Sequence, residues 1–409
     1  MSSRSALIFI FLTMLIDTIG LGLIIPVAPR LIAELTHTGL SGAASWGGWL
    51  FFVYALMQFI CAPVIGNLSD RFGRRPVLIL SLAMLSFDYV LTGLSPTILW
   101  LFIGRTLSGM AGAAYTTVNA YIADVSPTEK RAANFGLVGA AFGLGFILGP
   151  ALGGLLGEYF GLRVPFFVAG GLAAANALFG LLVLKESLPA ERRRKFDWRR
   201  ANPLGSLKSL KRYPALLSMF GTLALLRLAH DSLPATWSYY TMLKFSWGPA
   251  DVAWSLVAVG VFSSISFAVL PRVLTPRLGE TRSVLLGLAA GAIGYAGYAF
   301  APNPAVLYAV MVVFCFGGIG GAALSAILSH MVPDNEQGEL QGAIASIGSL
   351  TAIASPLIMT NLFAYFTSPV APVHFPGASF LAAAICELGA VAIFVAARAR
   401  KTKTIEPVT

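Results

Sequence analysis

The chain has 409 residues, of which 57% are hydrophobic and 11% are charged, and it contains 42 glycines. Ordinary soluble domains carry about 25% charged residues, so this composition excludes a soluble globular fold. The net charge of +10 does not indicate nucleic acid as a partner, because the basic residues are distributed by loop as membrane topology requires.

Apolar runs of about 20 residues recur from end to end, which is the length a helix needs to cross a hydrocarbon layer about 30 Å thick. The runs are continuous rather than alternating, so they predict helices and not barrel strands. The first run follows Arg4, is interrupted by Asp17 and lacks a small-residue cleavage site, which indicates a membrane span rather than a signal peptide. The twelve predicted spans are residues 7–30, 46–66, 76–94, 98–122, 133–156, 165–184, 214–241, 250–271, 283–301, 304–330, 341–366 and 377–397.

One long polar stretch separates the sixth span from the seventh and has Glu191–Lys195 at its centre. We therefore predict an all-α membrane protein made of two six-helix bundles. The N-terminal bundle covers residues 1–184, a cytoplasmic linker covers 185–213, and the C-terminal bundle with a short tail covers 214–409.

The two halves also resemble each other in sequence. Ser69–Gly73 returns in weakened form as Thr275–Gly279, 206 residues later, and Pro150 returns as Pro356 at the same offset. Six spans repeated on each side of a basic linker are the arrangement of major facilitator transporters, which supports this architecture by analogy.

The orientation follows from the distribution of the 28 lysines and arginines. Only Arg30, Arg163 and Lys244 fall on one side of the predicted spans, and Arg105 and Arg227 fall inside spans; all others lie on the opposite side. Because basic residues collect on the cytoplasmic side, both termini and the linker are predicted to be cytoplasmic.

The sequence gives no support for an enzyme. It contains no phosphate-binding loop, nucleophile elbow or metal-ligand cluster. Cys61, Cys315 and Cys386 lie inside apolar runs and are interpreted as packing residues. No cofactor and no metal site are expected.

Ionisable residues inside the spans of the first half are the leading functional candidates, because each costs about 3 kcal/mol at mid-bilayer on insertion scales. Asp17 lies halfway along the first span, Asp88 past the middle of the third, and Arg105 a third of the way into the fourth. We predict that they take part in proton coupling or form a cavity. The alternatives are a buried acid satisfied by an arginine, and a fixed ion pair of Arg105 that only joins helices.

The second half has its own ionisable cluster. Arg227, His230 and Asp231 lie in the seventh span, within a stretch of five residues, and their spacing places them on one helical face. By rough repeat position Asp231 falls near Asp17, so His230 and Asp231 are cavity candidates, and mutual neutralisation of Arg227 and Asp231 is the alternative. Glu387 in the twelfth span has no predicted role.

The loop between the second and third spans, Gly66–Arg75, combines an acid with arginines. Asp70, Arg71 and Arg74 are predicted to form a cytoplasmic gate, because charge-assisted hydrogen bonds near a helix end can lock one conformation. A simple positive anchor would need only the arginines.

The fifth span contains a glycine pattern with Gly145, Gly149 and Pro150 at its centre, in which glycines permit close helix packing and the proline permits a bend. Gln58, Asn119 and Gln341 are polar groups within or at the edge of spans, suited either to substrate contact or to joining helices.

Taken together, these motifs resemble the drug:proton antiporters of the major facilitator superfamily, and within them the tetracycline efflux group. The resemblance rests on the loop Gly66–Arg75 and the fifth-span pattern Gly136–Gly154. The stretches Asp17–Pro29, Tyr54–Gln58 and Ser86–Tyr89 are similar to the tetracycline group in particular.

The resemblance implies roles for individual residues of the first half. Asp17 and Asp88 would serve coupling and transport, Arg105 would serve a proton relay, and Asp124 at the end of the fourth span would pair with the gate. The gate would contain Asp70, Arg71 and Arg74, and the antiporter motif Gly145, Gly149 and Pro150.

The second half departs from the tetracycline pattern, although Val284–Gly287 is similar to it. Where the resemblance implies an acid in the ninth span, the chain reads Leu288–Ala292, and a histidine implied in the eighth span is missing around Val261–Ser264. His230 and Asp231 could substitute for these groups.

The expected function is an antiporter of the bacterial inner membrane that imports protons and exports an amphipathic small molecule. A transporter of a metabolite, sugar or siderophore is the alternative, because the fold does not fix the substrate. A non-transporting receptor or scaffold is a third possibility, against which the gate and the membrane acids argue. The expected partners are a small-molecule substrate, protons and the lipid bilayer, and the protein is expected to be a monomer.

Overall fold

A computed structural model of the protein describes residues 3–127, 131–196, 216–333 and 336–403. Within these ranges all regular secondary structure is helical. The predicted all-α fold class is confirmed. Residues 197–213 of the predicted linker, Lys130 and the last residues of the tail lie outside the described residues.

Eight α-helices are described in the first half of the chain, and a short 3-10 turn at Ala190–Arg192 follows them. The helices are α1 (Ser3–Ile24), α2 (Ala28–Thr36), α3 (Leu40–Phe72), α4 (Arg74–Gly93), α5 (Ile98–Gly112), α6 (Tyr115–Val125), α7 (Arg131–Phe160) and α8 (Val164–Val183).

Nine more α-helices are described in the second half. A π-helical turn, Ile265–Val269, joins α11 to α12, and a 3-10 turn, Cys315–Gly317, joins α14 to α15. The helices are α9 (Leu217–His230), α10 (Ser232–Phe245), α11 (Pro249–Ser264), α12 (Leu270–Leu278), α13 (Glu280–Phe300), α14 (Pro304–Phe314), α15 (Gly318–His330), α16 (Gln337–Thr367) and α17 (Ala378–Lys403).

Among the described residues, nine helical segments are long and apolar enough to cross a membrane. The pair Ile10–Ile24 and Ala28–Thr36, bent by 49°, makes a tenth if it is one span. The two other predicted spans, 98–122 and 214–241, are each divided into two shorter helices. The helices are therefore consistent with twelve crossings.

The bend in the first span has a local cause in the sequence. Pro29 occupies the first turn of α2, and Pro26 lies in the preceding turn. Proline lacks a backbone donor and clashes with the preceding helical turn, so α1 cannot continue through this segment. The break lies nine residues after Asp17 and leaves that residue within regular helix.

The chain divides into two compact units, Met1–Pro203 with Ser246–Gly260, and Leu204–Phe245 with Val261–Thr409. In the first unit α1 packs along α7 and α8, and α4 packs along α8 and α5. In the second unit α17 packs along α9 and α13, and α13 packs along α15. The predicted limits of the bundles at residues 184 and 214 stay a prediction.

Each unit has its own apolar interior. Ile10, Met14 and Tyr121 belong to that of the first unit, and Leu288 and Phe394 belong to that of the second. Large apolar side chains also cover much of the outer helix faces. Because lipid is as apolar as these side chains, such exposure is expected for a membrane protein.

Candidate functional site

A cavity of about 160 Å³ lies inside the first unit, and Asp17 forms part of its wall. Tyr54 and Gln58 of α3, Ser81 of α4 and Tyr115 of α6 line the same space. Within the described ranges, no hydrogen bond or ion pair joins Asp17 to another residue. The Asp17 carboxyl group is therefore the acidic group of this wall and is not satisfied by an arginine.

Arg105 pairs with Asp88, which decides the question that the sequence left open. The Arg105 Nη2 atom lies 3.3 Å from Asp88 Oδ2, and Thr92 Oγ1 donates to Asp88 Oδ1 at 3.4 Å. The Asp88 side chain is fully buried, whereas that of Arg105 is 19% exposed. Gly104 permits this approach, because a Cβ atom there would collide with Asp88 Oδ1.

Tyr54 lies between this ion pair and the cavity. Its ring centre is 6.0 Å from the Arg105 guanidinium carbon, at the outer limit of a cation–π contact. The same tyrosine lines the cavity that contains Asp17. The three ionisable residues predicted for the first half therefore occupy one continuous region of the first unit.

The fifth-span glycines bring α7 against α1 beside Asp17. A Cβ atom at Gly145 would lie 2.6 Å from Thr18 Cβ, and one at Gly149 would lie 2.7 Å from Ile19 O. A Cβ atom at Gly22, on the opposing helix, would lie 2.6 Å from Pro150 Cδ. The two helices are thus in backbone contact along the segment that follows Asp17, as the packing interpretation of the glycines predicts.

Of the predicted gate residues Asp70, Arg71 and Arg74, only Asp70 and Arg74 join a cluster with Asp124. Arg74 Nη1 lies 2.6 Å from Asp70 Oδ1, and Arg74 Nε lies 3.4 Å from Asp124 Oδ2. Arg71 is exposed and lies over the ring of Phe72, 4.9 Å from its centre. Arg74 is therefore the centre of this cluster.

Glu186, just after the sixth span, is a member of this cluster that the sequence analysis missed. Its Oε1 atom accepts hydrogen bonds from the backbone N–H groups of Arg74 at 2.8 Å and Leu188 at 3.0 Å. Its Oε2 atom accepts one from Arg75 N at 3.2 Å. A carboxylate at the N-terminus of a helix satisfies donors that have no intrahelical partner.

The start of the predicted linker adds two more contacts to the same region. Ser187 Oγ donates to Asp124 Oδ2 at 3.0 Å, and Arg194 N donates to Asp70 O at 3.0 Å. A carboxylate directly after the sixth span was the sequence signal for this arrangement, but its partners follow α3, more than a hundred residues earlier. The loop between the second and third spans is therefore held by the segment that follows α8.

The predicted polar contact residues have different surroundings. Gln58 lines the cavity and also donates from Nε2 to Gly112 O at 3.3 Å, so it joins helices as well. Asn119 is half-buried on α6 but is not part of the cavity wall. Gln341 is exposed on α16. Their roles in substrate contact stay a prediction.

In the second unit, Asp231 lies at the break between α9 and α10. No ion pair within 4 Å joins Arg227 to Asp231 among the described residues, and the Phe267 ring lies 6.1 Å from that of His230. The rough equivalence of Asp231 and Asp17 does not extend to local structure. At the 206-residue offset Asp231 matches Ile25, where the first span also breaks.

The Glu387 side chain fills the space beside Gly291, a residue of the ninth span that has no side chain. Its own side chain is 6% exposed, and its Oε1 atom lies 3.0 Å from the position of a Cβ atom on Gly291. Gly291 belongs to α13, the predicted ninth span, in the stretch where the resemblance implied an acid. The twelfth span supplies a carboxyl group to this place instead.

Chemically, these groups can bind a proton or a cation and can switch between paired and unpaired states. In the part of the chain that the structure describes, no group of three or more His, Cys, Asp or Glu side chains is placed to hold a metal ion. Helices that can cross a membrane, a cavity with a carboxyl group in its wall, and a charged loop that the segment after α8 holds in place together define a polytopic membrane transporter.

The chain belongs to the Major Facilitator Superfamily, whose sequence pattern it matches over residues 10–356 and 232–408. It is 39% identical to the tetracycline resistance protein, class C, of Escherichia coli, with 89% of this chain and 91% of that protein covered. It is also 30% identical to multidrug resistance protein 2 of Bacillus subtilis (strain 168), with coverages of 88% and 89%. The predicted resemblance is thus confirmed, and the protein is a transporter and not an enzyme.

Solved structures share the fold. A bacterial homologue of the human lysosomal transporter Spinster, inward-facing and unoccupied, has a TM-score of 0.76 at 16% identity and covers 97% of both chains. The nucleoside transporter NupG has a TM-score of 0.73 at 14% identity, covering 96% of this chain and 98% of its own. At such identities the likeness concerns the fold alone.

Proposed function

We propose that the protein is a proton-coupled antiporter that exports an amphipathic small molecule by alternating access. The observation that carries the proposal is Asp17, a carboxyl group of a membrane span in a cavity wall, without an ion-pair partner among the described residues. A charged carboxylate is costly in a low-dielectric layer, and either a proton or a cationic group of a substrate removes that cost. Competition between the two for one carboxylate couples entry of one to release of the other.

The Asp88–Arg105 pair has a different part in this mechanism. Because Asp88 balances the charge of Arg105 at 3.3 Å, the pair adds little net charge to the cavity. The negative charge that a proton must neutralise therefore belongs to Asp17.

The substrate class follows from the cavity wall and from the relatives. Apolar and aromatic side chains supply most of the wall, and Gln58 and Ser81 supply hydrogen-bonding groups. Such a wall suits a molecule with an apolar body and a few polar groups. Relatives that are named tetracycline resistance and multidrug resistance proteins support a drug or a tetracycline-like compound as the exported molecule.

Alternating access requires a lock that opens and closes once per cycle. Arg74 with Asp70 and Asp124 is proposed to lock the loop after the second span in one state and to separate in the other. Gly145, Gly149 and Pro150 are proposed to keep α7 in contact with α1, so that a change around Asp17 moves both helices.

The proposed location is the inner membrane of a bacterium, with the protein acting as a monomer. The sorting of lysines and arginines supports a cytoplasmic linker and cytoplasmic termini. Under this orientation the lock around Arg74 lies on the cytoplasmic side.

Reconstituted liposomes test the proposal. In vesicles with the protein in inverted orientation, an acidic lumen should drive uptake of a tetracycline, a quinolone, chloramphenicol or a lipophilic cation, and added drug should in turn release protons from the lumen. Asp17→Asn should abolish both fluxes. The matched control is Glu158→Gln, which alters an exposed acid at the end of α7 and should leave both fluxes intact.

Three results would contradict the proposal. Normal coupled export by Asp17→Asn would remove Asp17 from the mechanism. If no drug moves although a sugar, siderophore or other metabolite does, the protein is a metabolite transporter with the same fold. Absence of any coupled flux would favour a receptor or scaffold.

A further inference from the structure

Glu387 is a buried acid that the proposed mechanism does not use. It lies in the middle of α17, and its side chain is 6% exposed. Its Oε2 atom is buried and has no hydrogen-bond partner. A charged and unpartnered carboxylate at such a place is far costlier than a neutral carboxyl group, because nothing there replaces its hydration.

The side chain fits a space that Gly291 of α13 leaves open. A Cβ atom at Gly291 would come within 3.0 Å of Glu387 Oε1 and 3.2 Å of its Cδ. The carboxyl group therefore packs directly on the backbone of α13. Any larger residue at position 291 would have to displace it.

No cation balances this acid within the part of the chain that the structure describes. From α13 the titratable group that faces Glu387 is Tyr295, which Asp231 also influences electrostatically. On α17 itself the neighbour is Cys386. Both are neutral in their ordinary protonation states, so neither can balance the charge of a carboxylate.

Among the described residues, the other helices packed on α17 bring no charged partner either. From α9, Gly221 and Leu225 face Ile393 and Gly389, and Arg227 makes no ion pair with Glu387.

From α10, Trp237 and Tyr240 contact Phe380, two turns before Glu387. Lys244, farther along α10, donates to Ala299 O. From α16, the Met359 carbonyl oxygen accepts from Ser379.

We infer that Glu387 is a second proton-binding site of the transporter, which is protonated in the conformation seen here and releases its proton when α13 and α17 separate at Gly291. The inference deepens the proposed function and rests on its coupling to protons. Separation would admit water to Glu387 and stabilise the carboxylate, whereas renewed contact with Gly291 would require the proton again. A proton is then carried by the second unit in addition to any carried by Asp17.

The direct test is infrared difference spectroscopy of the purified protein in lipid. At neutral pH the wild type should show the C=O band of protonated carboxyl groups, and Glu387→Gln should lose the component that Glu387 contributes. The control is Glu339→Gln, which removes an exposed acid of the same unit and should keep the band. A band that is equally strong in Glu387→Gln and wild type would overturn the inference.

An apolar variant separates proton binding from a structural role. Glu387→Leu removes a buried polar group that lacks a partner, so its thermal midpoint should equal or exceed that of the wild type. A large fall in the thermal midpoint would show that the carboxyl group holds the helices together, and would count against the inference. In vesicles that transport drug, the same variant should import one proton fewer per molecule exported.

These outcomes distinguish failure of the inference from failure of the proposed function. If no drug moves in any vesicle but the Glu387-dependent band is present, proton binding stands and the transport proposal fails. If drug export is normal and the proton count is unchanged in Glu387→Leu, the transport proposal stands and this second proton site is wrong.

Discussion

Glu280 and His330 repeat, with the acidic and basic residues exchanged, the contact that Arg74 makes with Asp124. His330 Nδ1 lies 3.3 Å from Glu280 Oε1, and Arg74 Nε lies 3.4 Å from Asp124 Oδ2. Glu280 stands 206 residues after Arg74, and His330 stands 206 residues after Asp124.

The backbone repeats as well. Glycines with positive φ angles, Gly73 at 106° and Gly279 at 76°, directly precede Arg74 and Glu280. Residues with a Cβ atom rarely adopt such positive φ values, so glycine is required for the turn into the following helix. The second unit thus has a side-chain contact of the same construction, in which a carboxylate stands at the position of the guanidinium and an imidazole at the position of the carboxylate.

A charge exchange tests whether this pair acts as a lock. Glu280→Arg alone removes the carboxylate that His330 contacts and should slow transport, whereas Glu280→Arg with His330→Asp reproduces the polarity of Arg74 and Asp124 and should restore it. If the double variant is as slow as the single one, the pair does not act as a lock.

The Asp88–Arg105 pair should be costly to break from one side. Asp88→Asn leaves the mostly buried Arg105 cation without its partner, which destabilises a protein by about 3–5 kcal/mol when the pair is fully buried. Since Arg105 is 19% exposed, the lower end of that range is expected. Thermal unfolding in detergent measures the loss.

Removal of both charges should be milder. The variant Asp88→Asn with Arg105→Gln should be less destabilised than the sum of the two single variants, because each single change leaves one charge unbalanced. Additive losses would mean that the two residues act independently.

Gly149 should tolerate no side chain. Its Cβ position lies 2.7 Å from Ile19 O and 2.8 Å from Gly22 Cα, and a backbone cannot move aside as a flexible side chain does. Gly149→Ala should therefore push α7 away from α1 and destabilise the protein by about 1–3 kcal/mol, with loss of transport.

The matched control for this change lies on the same helix. A Cβ atom at Gly139 meets nothing within 4 Å, so Gly139→Ala should be neutral or slightly stabilising through helix propensity. Equal effects of the two alanines, measured by thermal midpoint and drug efflux, would disprove the close-packing explanation.

Glu186 should be needed to hold the loop before α4. Glu186→Ala removes the acceptor of the Arg74 and Arg75 backbone donors and should cost about 0.5–2 kcal/mol. The same change should increase hydrogen exchange at the start of α4. Glu191→Gln, at an exposed acid of the same segment, should leave exchange there unchanged; equal protection in Glu186→Ala would show that α4 needs no cap from this segment.

Much of the fold was predictable from sequence, because hydrophobicity along the chain is a local property. The apolar runs predicted the fold class and placed Asp17 inside the first span, and the motifs predicted the superfamily. Helix breaks were harder to predict. Pro26 and Pro29 explain the bend after α1, but the run 98–122 gave no comparable signal for the break at Ala113 and Ala114.

What the sequence could not determine was which helix faces meet. Whether Arg105 faces Asp88 or Asp17 depends on the rotation of α4 and α5 about their axes, which no along-chain pattern records. The same holds for Glu186, whose acceptor oxygens meet donors of Arg74 and Arg75, and for Glu387, which the packing of α17 on Gly291 makes a buried acid. The sequence alone determined the membrane helices and their family, since both follow from local composition and motifs. The tertiary structure decided which charges are paired, because pairing is a property of side chains far apart in the chain.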